Sequence, residues 1–80
     1  MFALIKHVQA PDTNQVNVIV TTRTHHDAYL QLLSESEPLY PHYQTKADGI
    51  HHKSFVDPDQ NVRIDLMIQE VPVIQKGEAS

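Results

Sequence analysis

Over the first part of the chain, apolar and polar positions alternate with the period of a pleated strand. From Phe2 to Gln9, one face carries Phe2, Leu4, Lys6 and Val8 and the other Ala3, Ile5, His7 and Gln9. Ala10-Pro11-Asp12-Thr13-Asn14 interrupts the run with turn chemistry: proline fixes φ, and Asp and Asn bond their own backbone. Alternation resumes with Val16, Val18 and Val20 on one side and Asn17, Ile19, Thr21 and Arg23 on the other. These β-branched residues suit a pleated surface, so residues 2–23 are expected to form an antiparallel hairpin.

The period then changes. Thr24-His25-His26-Asp27 has the form of a helix start, with Thr24 able to cap free N–H groups and Asp27 in the first turn. Ala28, Tyr29, Leu32 and Leu33 follow on one helical face. Pro38 lacks an N–H and disfavours helical geometry at Glu37, which predicts a helix from His25 to Ser36. Glu37 to Gly49 shows no regular pattern and is expected to be a loop. Ile50 to Asp57 reads as a third strand, Pro58-Asp59-Gln60-Asn61 as a turn, and Val62 to Glu70 as a fourth strand with Val62, Ile64, Leu66 and Ile68 on one face.

The expected fold is α+β, with β-β-α-β-β order: a four-stranded, mainly antiparallel sheet with one short helix packed on one face. Residues 1–72 make a single domain, and 73–80 a frayed tail. The buried face is expected to hold Leu4, Val8, Val18, Val20, Leu32, Leu33, Ile64, Leu66 and Ile68. One helix cannot cover both sides of a sheet, so the second side faces water or a partner. It keeps Ile5, Ile19 and Met67, which together would form the stripe of a homodimer interface.

Composition narrows the function. Ten acidic residues against six basic ones give a net charge of -4, the wrong sign for wrapping nucleic acid, and the basic residues are dispersed. The absence of cysteine excludes disulfide frameworks, thiolate zinc sites and cysteine nucleophiles. No apolar run approaches the roughly 18 residues needed to cross a bilayer, and the expectation is a cytoplasmic protein without a membrane partner.

Catalytic templates are also missing. Ser34, Ser36, Ser54 and Ser80 sit in no nucleophile elbow, and Gly49 and Gly77 cannot build a phosphate cradle. Asp57, Asp59 and Asn61 imitate the start of a calcium loop, but Val62 stands where that loop needs glycine and Ile68 where it needs glutamate. No cofactor and no enzymatic activity are therefore expected.

Two features remain. The Tyr40, His42 and Tyr43 segment offers aromatic area with polar tips, suited to a protein partner. The six histidines include the pairs His25-His26 and His51-His52. Imidazole ligates zinc, copper and nickel, but adjacent residues point apart, so at most one histidine of each pair can reach a shared metal. The leading expectation is a small non-enzymatic interaction module, homodimeric and acting by binding another macromolecule, as a regulator or a phage or mobile-element accessory protein does. The alternative is a histidine-dependent metal or small-ligand binder, which requires His25 or His26 to meet His51 or His52.

Overall fold

The computed structural model describes residues 1–72; the expected tail at 73–80 lies outside them. Five strands and one helix follow in the order β1 (Phe2–Ala10), β2 (Thr13–Thr22), α1 (His25–Ser36), β3 (Gln44–Asp48), β4 (His52–Asp57) and β5 (Val62–Glu70). The class is α+β, as the patterning requires. The sheet has five strands rather than four, in the order β2-β1-β5-β4-β3, and every neighbouring pair is antiparallel. The added strand, β3, occupies part of the segment expected to be a loop. Gln44-Thr45-Lys46-Ala47-Asp48 has no large apolar residue to announce a strand. Its backbone pairs with β4 across a register shift between Thr45 and Ala47.

Helix α1 begins and ends where its sequence punctuation places it. The Asp27 amide donates to Thr24 Oγ1 at 3.2 Å, and Thr24 itself is extended, as a capping residue must be. After Ser36 the chain makes two tight turns, the Leu39 amide donating to the Ser36 carbonyl and that of Tyr43 to the Leu39 carbonyl. Because β2 and β3 lie on opposite edges, the connection between them must traverse the sheet. Helix α1 lies over β1, β2 and β5, and Leu39, Tyr40 and Tyr43 continue the cover towards β4.

Leu4, Leu32, Phe55, Ile64 and Leu66 form the buried core, with Val8, Val20, Tyr29, Leu39, Tyr43, Val62 and Ile68 packed around it. Two expected core residues are displaced. Leu33 lies on the flank of the helix and is exposed, because Ala28, Leu32 and Ser36 define the buried stripe. Val18 is 60% exposed, for a reason visible in the register: Leu4 pairs with Val20, but Ile5 pairs with Val18, leaving Ile19 as an extra residue in β2. This bulge reverses the alternation, so Val16 and Val18 join the face opposite the helix. Pro58 to Asn61 forms the expected hairpin turn, in which Asp57 Oδ1 accepts from the Asp59 amide and Asn61 takes the left-handed conformation.

Candidate functional site

The sheet face without a helix is built in rows fixed by strand register. Across one row lie Val18, Ile5, Met67 and His52; across the next, Val16, His7, Asp65, Ser54 and Ala47. Ile5 and Met67, both placed by sequence on the self-association stripe, are direct cross-strand neighbours and half-buried. Ile19, the third member of that stripe, is the bulge residue, and Val18 takes the position beside Ile5. Val16 and Val18 are 63% and 60% exposed, unusually open for β-branched residues next to half-buried apolar neighbours.

A polar cluster sits at the centre of this face. Asp65 is buried and receives Arg63 Nε at 3.0 Å and His52 Nε2 at 3.1 Å. Burial raises the carboxyl pKa, but the bonds from Arg63 and His52 and the adjacent Ser54 hydroxyl outweigh it and hold it below its ordinary value. Ser54 Oγ is itself buried without a hydrogen-bond partner. Arg63 also lines an open groove of about 610 Å³ at the end of the same face, together with Gln9, Gln44, Lys46 and Val56.

On the helix side, Lys53 is buried and donates to Asp48 and, at 3.0 Å, to the Tyr40 hydroxyl. Burial disfavours the ammonium, yet its bonds to Asp48 and Tyr40 leave its pKa above the ordinary lysine value; Lys53 and Tyr40 in turn draw the Asp48 carboxyl down. The Tyr40 ring stands edge-on to Phe55 at 5.2 Å, and Tyr43 packs against the core. Of the aromatic segment read as a partner surface, two members thus close the end of the core, and His42 is exposed.

The histidine pairs divide. His25 Nε2 and His51 Nδ1 meet at 2.8 Å, with ring centroids 4.6 Å apart. His25 enters this contact from the first turn of α1, its other side edge-on to Phe2. His51 is held by its carbonyl, which accepts the Ile68 amide at 2.7 Å. His26 is exposed, and His52 serves Asp65. One histidine from each sequence pair therefore converges, but no group of three or more metal-ligating side chains gathers among the described residues.

Known proteins add no precedent. No protein-family model matches the chain, and no similar curated protein or solved structure was found. The site has to be judged by its own geometry. No helix among the described residues is long and apolar enough to cross a membrane. Sequence reasoning missed the buried Asp65 and Lys53; a charged residue inside a run of alternating strand positions was the available signal for Asp65.

Proposed function

We propose that this chain is a non-enzymatic interaction module that self-associates and binds protein on its helix-free sheet face. The observation that carries the reading is the combination of Val16 and Val18, each more than half exposed, with the half-buried Ile5 and Met67 in one contiguous patch. An apolar patch beside a fixed polar cluster suits a protein surface better than solvent: Val16, Val18, Ile5 and Met67 supply burial, and Asp65, Arg63 and His52 supply orientation. Native mass spectrometry of the untagged protein tests the self-association. A dimer mass without adduct supports it, and a bare monomer at every concentration overturns it.

The contact between His25 and His51 favours a second reading, a transition-metal binder. Two ring nitrogens 2.8 Å apart stand within a few tenths of an ångström of the roughly 3.3 Å between two imidazole nitrogens on a tetrahedral zinc ion, so a small ring rotation would admit the metal, the remaining positions going to water or to a partner's side chain. In this reading, zinc titrated into the protein gives stoichiometric heat by calorimetry. His51→Ala abolishes that heat without lowering the unfolding midpoint. No heat from the parent protein excludes the reading.

A further inference from the structure

The two edges of the sheet are finished differently. Edge strand β3 has five residues, is broken by the register shift at Lys46, and carries Lys46 and Asp48. Those are the devices by which sheets discourage added strands: short length, a bulge and charge. Edge strand β2 has ten residues, Thr-Asn-Gln-Val-Asn-Val-Ile-Val-Thr-Thr, with no charged residue and no proline. Its seven residues from Thr13 to Ile19 are all exposed, and it has no neighbour on its outer side among the described residues. From Thr13 to Val18 such an edge offers an unbroken row of N–H and C=O groups to another strand, the bulge at Ile19 being its one interruption.

Charge placement says which strand fits. Asn17 pairs with Lys6, Thr13 with Ala10 and Thr22 with Phe2. Measured along β1, Thr13 and Thr22 are therefore equally far from Asn17, because the bulge takes up the one extra residue on the Thr22 side. Asp12 immediately precedes Thr13, and Arg23 immediately follows Thr22. An uncharged strand with one acidic and one basic end, equidistant from its middle, is complementary to itself when antiparallel. A two-fold axis at Asn17 sets Asp12 of each chain beside Arg23 of the other, at both ends of the contact. The same register sets Val16 against the partner's Val18 on the helix-free face and merges the two apolar patches into one. Neither Asp12 nor Arg23 has an ion-pair partner within the described residues.

We infer that a second copy of this chain pairs antiparallel along β2, centred on Asn17, to give one continuous ten-stranded sheet across the dimer. This rests on the self-association reading above and specifies its edge, register and ion pairs. It is isologous, so it closes at two chains and leaves the guarded β3 edges outermost. A strand-edge contact is small beside the roughly 1,600 Å² of a standard interface, so the dimer should dissociate on dilution.

The test is sedimentation velocity from 1 to 300 µM on the parent chain and three variants, with circular dichroism confirming that each folds. Asp12→Arg places two arginines at each end and should weaken the dimer at least tenfold. Asp12→Arg combined with Arg23→Asp restores opposite charges and should return the parent constant. Asp59→Arg, the same charge change made in the turn between β4 and β5, should change it less than threefold. A parent that stays monomeric overturns both this proposal and the self-association reading. A dimer that is indifferent to Asp12→Arg overturns only the edge proposal and moves the contact to the sheet face. Polymers in place of a dimer overturn the two-fold register.

Discussion

The two faces of the sheet bury different things. Against the helix, Leu4, Phe55 and Leu66 are fully enclosed, and the one charged residue among them, Lys53, is tied to Asp48 and Tyr40. On the other face the enclosed residues are small or polar, Ala3, Ser54 and Asp65, and the larger apolar ones stand partly in water. A single strand such as β5 serves both, with Ile64 and Leu66 turned to the core and Asp65 and Met67 turned away. The helix side carries the hydrophobic stabilisation; the open side holds a fixed polar cluster beside an apolar patch, an arrangement that stability alone does not require.

The largest expected effect lies on the helix side. Leu66→Ala should lower the unfolding free energy by about 2–5 kcal/mol in urea titration, through lost burial and the cavity left behind. In a domain of this size that is a large part of the total. A loss below about 1 kcal/mol would erase the contrast between the faces. On the open face, Asp65→Ala removes the bonds from Arg63 and His52 but frees both to reach water, and should cost about 1–2 kcal/mol.

The Lys53 network sharpens the contrast through asymmetry. Asp48→Ala leaves a buried ammonium with Tyr40 as its remaining partner, whereas Lys53→Met leaves an exposed carboxylate and an exposed hydroxyl. Asp48→Ala should therefore lower the melting temperature more than Lys53→Met. Acid acts on both faces, because Asp48 and Asp65 have carboxyl pKa values below their unfolded ones. Their stabilisation is present above the unfolded carboxylate pKa, about 4, and is lost as pH falls through the lower folded values. Stability measured from pH 5 to pH 2 should fall, and less steeply in Asp65→Asn. The smallest effect belongs to Val18→Thr, expected to change folding stability by no more than about 0.5 kcal/mol while altering the open face.

Much of the fold was legible because periodicity reports burial. The bounds of α1 and β5 and the capping role of Thr24 follow from residues whose local preference agrees with the final structure. β3 was illegible because pairing with β4, not an apolar face of its own, makes Gln44 to Asp48 a strand. Val18 was placed in the core because strict alternation puts it with Val20; one inserted residue separates them, and nothing in a run of valine and isoleucine marks where it goes. For the candidate patch, the placement of Ile5 and Met67 on the helix-free face is readable from parity alone. The meeting of His25 with His51 was readable only as a condition, since it depends on topology bringing the start of the helix to the loop before β4.

The first and last strands are neighbours in the middle of the sheet, Leu4 opposite Ile68 and the Val71 amide bonded to the Met1 carbonyl. A growing chain that has reached Asn61 owns two hairpins, β1–β2 and β3–β4, with no strand ladder between them. Completion of the sheet must wait for β5, among the described residues the one strand that pairs with both. Until then, the inner edges of both hairpins, β1 and β4, are unpaired, and the uncharged β2 edge is available to any passing strand. The order of synthesis therefore makes β5, which emerges after both hairpins, the strand that commits the sheet.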